Sequence, residues 1–558
     1  MKNKRVIALL LSVILILTPI QQVNAETMNP DVGNEQSKFE VPEMDEENVQ
    51  ESEKVSNNEG IDEAEKIDES DQDEVLETED KEENVDLSDE QDAEENIEPL
   101  SSELEILDEP ERPENLPLGA YVKSDLDYNT PVYSSDYDTY SNIPSAFPED
   151  MSDIENVYPN ARNQSPYGTC WAFSSIGLAE FDLINDSLNG KGEFDSNIDL
   201  SELQLAYFTY NSVLDPLGGT EGDSAKYHNE NAEVSYLNYG GNYAMASRRL
   251  AQWCGPADES TVSYSQAADT ITNGLDASYA YGFDEAHLEN AYLINIKENV
   301  DDVKQQIMEH GAAGIMYYHN DASFGWNTDL QKYTYYDAEV SGGGHAVMIV
   351  GWDDDFSKDN FTGSSAPSED GAWLVRNSWG SYADYFWMSY ETASLADTAW
   401  IFDFSAENEY DNNYQLDGGI QTYPDKQHKT LANVFKTKQE DGVGQEILSA
   451  VSLSFTQAAN VHYTVDIYTD LTDEIDPLSG TKQEYETAYA GIYTIPLNST
   501  VTLQPGTLFA VVVSVDAAIL DYEQATSIAT GDDLSTMIWD CKVSQNNNKS
   551  FFLSGEAF

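Results

Sequence analysis

Gln164-Ser-Pro-Tyr-Gly-Thr-Cys170-Trp-Ala-Phe-Ser174 is the stretch on which the reading of this chain turns. It sets a cysteine just after a glycine turn and at the start of an apolar run. Phe173, Ile176, Ala179, Leu183 and Ile184 then recur at helical spacing, with apolar residues on nearly every side, which predicts a buried helix over 170–185. A helix N-terminus offers partial positive charge and unpaired N–H groups. Both favour a thiolate, the nucleophilic form of cysteine. A lone cysteine beside Trp171 and Phe173 is ordinarily an inert buried thiol, so other residues must carry any catalytic reading.

Working outward, a thiolate needs a base. Of the seven histidines, His345 follows the triplet Gly342-Gly343-Gly344 and opens the continuous apolar run Ala346 to Gly351, which predicts a buried strand. An imidazole must also be oriented through its second nitrogen. In Trp373-Leu-Val-Arg-Asn377-Ser-Trp379-Gly380, Asn377 stands just past another buried-strand candidate, and its amide oxygen can accept that N–H while staying neutral. Trp379 is placed to cover the bond. Acyl transfer further needs donors for a developing oxyanion. The Cys170 N–H is one candidate and the side-chain amide of Gln164, six residues upstream, is the other.

Taken together and in this order, Gln164…Cys170-Trp-Ala-Phe-Ser, His345-Ala-Val…Val-Gly and Asn377-Ser-Trp-Gly resemble the papain family of cysteine peptidases. Leu200-Ser-Glu-Leu-Gln204 is similar to the family's next helix. Gly240-Gly241, followed by a helical stretch over 244–253, is similar to the segment that pairs with the substrate backbone. The resemblance covers roughly residues 140–395. It implies an α+β, two-lobed catalytic domain, a helical left lobe and a β-barrel-like right lobe with the cleft between them. It also implies Cys170 as nucleophile, His345 as base and then acid, Asn377 as orienter and Gln164 as oxyanion donor. Gly240, Gly241 and Trp379 are the implied substrate-binding positions, and no cofactor is required. The chain departs from the family in places: Tyr167 stands where the family's usual cysteine precedes the nucleophile, and Ser381-Tyr-Ala-Asp384 replaces a common Trp-Gly pair.

The 558 residues hold 26 Lys+Arg against 104 Asp+Glu, a formal charge of −78. Such a chain does not bind nucleic acid or anionic membrane unaided, both being polyanions. Cations, basic peptides and calcium fit better, and an acidic cleft region would favour basic peptide substrates. Lys2, Lys4 and Arg5 precede the 15-residue apolar run Val6 to Ile20, and Val23-Asn24-Ala25 has the small residues of a cleavage site. This predicts a secretory signal peptide over 1–25. The run is short of the ~20 residues that cross a bilayer, so no stable span is expected after cleavage. The leader's basic start points to a bacterial source, and the product is expected to be secreted or held at the cell surface.

Residues 26–115 carry 37 acids and 5 bases, with few aromatics. Such a segment cannot bury enough apolar surface to offset its ordering entropy and is expected to be disordered. Aromatics return at Tyr121, and 116–149 reads as an ordered entry strap or pro-segment leading into a peptidase domain over 150–395.

From about 396 the pattern changes. Val451, Leu453 and Phe455 alternate with serines, Val461, Tyr463, Val465 and Ile467 with polar residues, and Gln504-Pro505-Gly506 marks a turn before Leu508 to Val513. These signals predict an all-β sandwich over 396–558. The segment resembles the lectin-like β-domain that follows papain-type domains in some secreted bacterial proteins. A cell-wall or host glycan, a structural calcium ion held by carboxylate oxygens, and a purely structural role are the three readings for it.

The reading that follows is a secreted cysteine endopeptidase acting on protein or peptide substrates through a thioester. A catalytically silent adhesin on the same scaffold and a wall amidase are the rival readings.

Overall fold

The helix anticipated at Cys170, α1 (Cys170–Leu188), is buried along its first fifteen residues, as an apolar surface all round requires. The computed structural model describes residues 6–11, 109–113, 116–120, 131–132, 143–148, 150–213, 224–229, 235–406 and most of 410–552. Of the expected leader only Val6–Leu11 is described, as a strand parallel to residues 448–453. Of the acidic segment only 109–113 is described, so the expected disorder lies outside the described residues.

Around α1 pack α2 (Glu202–Tyr210) and α3 (Tyr243–Ala251). Side chains set both starts: Ser201 Oγ accepts from Gln204 N at 3.0 Å and Asn242 Oδ1 from Met245 N at 2.9 Å, each satisfying an otherwise orphan helix donor. A fourth helix, α4 (Val300–His310), ends at Gly311, whose φ of 83° is the left-handed cap geometry glycine suits.

The second lobe is a sheet. Its strands are β1 (His287–Asn295), β2 (Ala313–His319), β3 (Phe324–Asn327), β4 (Lys332–Tyr335), β5 (Gly343–Asp353), β6 (Ala372–Arg376), β7 (Tyr385–Ser389) and β8 (Leu395–Ser405). They lie side by side in the order β1, β8, β2, β5, β6, β7, β4, β3. Tyr317 of β2 stands opposite His345 of β5, and Met348 of β5 opposite Arg376 of β6, the residue before Asn377. The central strands are buried on both faces, which explains why β5 and β6 read as unbroken apolar runs.

The C-terminal region is the expected sandwich. One layer pairs β9 (Thr430–Lys436), β11 (Val461–Thr469), β12 (Thr481–Thr487) and β14 (Leu508–Val515). The other is the pair β10 (Glu446–Phe455) and β13 (Ala490–Leu503). Val451, Leu453 and Phe455 meet Val465, Ile467, Val511 and Val513 in one apolar cluster. The two regions are not separate sheets, because Ala490–Tyr493 of β13 pairs antiparallel with Asn290–Leu293 of β1 and continues the sheet of the second lobe.

Candidate active site

Cys170 is the first residue of α1, fully buried and in no disulfide. The backbone N–H groups of Ala346, Gly119, Trp171 and Cys170 itself each favour its thiolate. Cys170 and Ala346 share one buried cluster, which places the thiol near the strand that carries His345. His345 is also fully buried, and its Nε2 lies 2.8 Å from Asn377 Oδ1. The same amide oxygen accepts from the Ser378 N–H at 2.9 Å. That oxygen is thus the acceptor for two donors, which puts the proton of a neutral imidazole on Nε2 and the lone pair on Nδ1. His345 Nδ1 has no hydrogen-bond partner among the described residues. Trp379 stacks on the imidazole, ring centroids 4.7 Å apart at 15°, and closes the His345–Asn377 bond from water.

Gln164 is buried and rigidly held. Its Oε1 accepts from Ser378 Oγ at 2.7 Å, and its Nε2–H donates to Tyr167 O at 2.9 Å. The backbone of Gln164 is fixed too, its carbonyl accepting from Tyr264 Oη at 2.7 Å. Ser378 and Tyr264 escaped the sequence reading. Ser378 lies inside Asn377-Ser-Trp-Gly, so that motif aims two catalytic candidates at once, whereas Tyr264 carries no local signal.

Residues 116–120 occupy the groove between the lobes. Gln164 Nε2–H donates to Pro117 O at 3.1 Å and Trp379 Nε1–H to the same oxygen at 3.4 Å. Gly241 N–H donates to Gly119 O at 2.9 Å, and Ala120 N–H to Gly344 O at 2.9 Å. Leu116 and Leu118 pack on the aromatic cluster of the right lobe. Two glycines make this close approach feasible. A side chain at Gly119 would sit 2.0 Å from Gly168 O, and one at Gly241 would sit 2.4 Å from the Trp171 ring. Gly240, named beside it in the sequence reading, instead offers its carbonyl to Tyr210 Oη.

Burial under this strap governs the electrostatics. The Cys170 thiol is pushed up to about 11 by desolvation, against the pull of its N–H neighbours. His345 is pushed down to about 3, also by desolvation, with Asn377 opposing. Burial therefore favours the neutral form of each group.

Behind the site, Arg162 ion-pairs with Glu180 and, at 2.9 Å, with Glu202, both buried. Among the described residues, Asp182, His310 and Asp403 bring one ligand-type atom each within 4.8 Å of one another. His310 Nδ1 lies 2.7 Å from Asp182 Oδ1, an ion-pair geometry that ties α4 to α1. Among the described residues no helix is long and apolar enough to cross a membrane.

Residues 147–399 match the model of the papain family cysteine proteases, and residues 413–558 match that of the lectin-like domain. A cysteine protease of Blomia tropicalis is 26% identical over 229 residues, 39% of this chain and 53% of that protein. Cathepsin B-like cysteine proteinase 3 of Caenorhabditis elegans is 23% identical over 248 residues, 43% of this chain and 60% of its own. The chain thus spans a little over half the length of the curated relatives it matches. The cysteine protease and lectin-like domains of Cwp84, a surface layer associated protein of Clostridium difficile, superpose with a TM-score of 0.57 at 24% identity, covering 77% of this chain and 86% of that one. The structure of clostridial Cwp84 after propeptide cleavage gives a TM-score of 0.57 at 25% identity over 74% of this chain and 94% of its own.

Proposed function

Because residues 147–399 belong to the papain family of cysteine proteases and residues 413–558 form a lectin-like domain, we propose that the protein is an exported cysteine endopeptidase made in a latent form. The observation that carries this reading is the 2.8 Å contact between His345 Nε2 and Asn377 Oδ1, with the Cys170 thiol near the strand that carries His345. It supplies an oriented base next to a thiol at a helix N-terminus.

Once the cleft is open, His345 Nδ1 takes the Cys170 proton, and the thiolate attacks the substrate carbonyl carbon. The oxyanion is held by the Gln164 side-chain amide and the Cys170 N–H. His345 passes its proton to the leaving amine as the C–N bond breaks, leaving a thioester on Cys170. Water, losing a proton to His345, then attacks the thioester. The acid product departs and the thiol is restored.

The strap at 116–120 is the latency device of this reading, since Pro117 O sits on the very amide assigned to the oxyanion. Export follows from the leader pattern, and residence at a bacterial surface is in keeping with the surface-layer-associated structural relative. The lectin-like domain is assigned a wall or host glycan, with a structural calcium ion as its accompanying expectation. Basic peptides are the favoured substrates, given the charge of −78.

The test compares casein hydrolysis by the matured protein with that by Cys170→Ala, alongside mass spectrometry after an epoxysuccinyl thiol-peptidase inhibitor. An adduct on Cys170 and loss of hydrolysis in the variant support the reading. Unchanged hydrolysis in the variant rejects it.

A further inference from the structure

We infer that Asp321 is a specificity residue, a fixed carboxylate that selects an arginine or lysine on the leaving-group side of the scissile bond. The inference deepens the function proposed above and rests on its assignment of Cys170 and His345. The chain's own upstream segment shows where such a side chain goes. Arg112, just before the strap, reaches the turn after β2, where its Nη2 lies 2.7 Å from Asp321 Oδ2. The other oxygen of that carboxylate, Oδ1, lies 3.1 Å from His319 Nε2. One oxygen is thus anchored to the domain, and the other is presented to the upstream segment. His319 is buried at the end of β2 and meets the Trp379 indole edge to face at 5.2 Å. Asp321 therefore stands one side chain beyond Trp379, whose Nε1–H donates to Pro117 O.

The side of the cleft follows from the chemistry. Trp379 stacks on His345, and His345 gives its proton to the leaving amine. Residues after the scissile bond accordingly lie towards Trp379, and those before it towards Gly241. Pro117 O at Trp379 and Gly119 O at Gly241 mark these two ends of the groove. On the Trp379 side the right lobe supplies aromatic rings, Phe324 stacking on Tyr333 at 4.5 Å and meeting Trp379 edge to face at 6.3 Å. Rings of this kind take the methylene stem of a long side chain as readily as any apolar residue. The carboxylate is what tells a guanidinium or ammonium from the rest. Departure of the strap takes Arg112 with it and turns Oδ2 over to an incoming chain. Asp321 is 55% exposed, so water screens it and the discrimination is modest, about fivefold.

The test measures kcat/KM of the matured protein on peptides that differ only in carrying Arg, Ala or Glu at each of the three positions after the scissile bond. Arg is expected to exceed Ala by about fivefold at one of these positions. That advantage should vanish in Asp321→Asn, and Asp321→Lys should prefer Glu to Arg at the same position. Each ratio is taken within one protein, so a variant of lower activity is read equally well. Asparagine matches aspartate in shape, and the lysine form gives a second reading should the first fail to fold. An Arg preference that survives Asp321→Asn, or unaltered protein with no Arg preference at any of the three positions, overturns the inference. Unaltered protein that neither cleaves peptide nor takes inhibitor on Cys170 overturns the underlying assignment instead, which keeps the two failures distinct.

Discussion

The side-chain amide of Gln164 donates to the carbonyl oxygen of Pro117 at 3.1 Å. The donor proposed for the oxyanion is thus engaged by the chain's own backbone, 47 residues upstream. The arrangement ties together a neutral buried thiol, an aligned imidazole and an occupied groove, and each of these gives a measurable consequence.

Gly119 is where the strap is most easily evicted. A Cβ there would lie 2.0 Å from Gly168 O, a backbone atom that cannot move aside cheaply. Gly119→Val should therefore unseat the strap and speed inhibitor labelling of Cys170 in the full chain by at least about tenfold. A labelling rate equal to that of the unaltered chain would show that residues 116–120 do not gate the thiol.

The seated strap also carries a pH signature. Buried His345 is pushed down to about 3, whereas an open form whose His345 already holds the Cys170 proton takes up a further proton as its thiolate is neutralised at low pH. The strapped form therefore loses ground as the pH falls, by up to about tenfold per pH unit for one proton. Limited proteolysis of the strap should accelerate on passing from pH 7 to pH 4. Cys170 shifts the other way: held at about 11, its burial as a neutral thiol is favourable below 9 and increasingly costly above it. Iodoacetamide should accordingly spare Cys170 in the strapped chain at pH 8 and reach it readily once the strap is gone.

Asn377 and Gln164 separate by kinetics. Gln164→Ala removes one oxyanion donor and should lower kcat by about 10²–10³ with little change in KM. Asn377→Ala leaves the imidazole free to rotate and should lower kcat by about 10² or more. Stopped assays on the matured variants at saturating peptide distinguish these from a fall in affinity, which would raise KM alone.

Arg162 is a stability residue. Replacing it by methionine strands Glu180 and Glu202 as buried, uncompensated carboxylates, at a cost of about 3–5 kcal/mol. Glu202 is already pushed up to about 7 by burial, so its penalty is felt as pH rises through that value and relaxes below it. Thermal unfolding of Arg162→Met should show a large Tm loss at pH 8 that is partly recovered at pH 5. An equal loss at both values would contradict the carboxylate explanation.

Much of this was legible in the chain, and the reason is local. A thiol at a helix start, an imidazole opening a buried strand and an amide after another strand each need a particular neighbourhood, and short motifs record it. The papain-like and lectin-like regions were readable for similar reasons, through helical period around Phe173 and Ile176 and through alternation at Val451, Leu453 and Phe455. Three things left no such trace. Pairing of Ala490–Tyr493 with Asn290–Leu293 joins residues two hundred positions apart, and nothing in either strand names its partner. His319 looks ordinary until the fold brings Trp379, Asp321 and Arg112 around it. Leu116-Pro-Leu-Gly-Ala120 was readable as an entry into the domain, but its place in the groove depends on Gly241 and Gly344, which arrive from both lobes.

The most direct measurement is the mass of the matured protein after reaction with an epoxysuccinyl inhibitor, taken together with its peptidase activity. The account predicts a single adduct on Cys170, activity lost in step with labelling, and neither labelling nor activity in Cys170→Ala. Peptide hydrolysis that survives complete labelling of Cys170, or an adduct on another side chain, would contradict it.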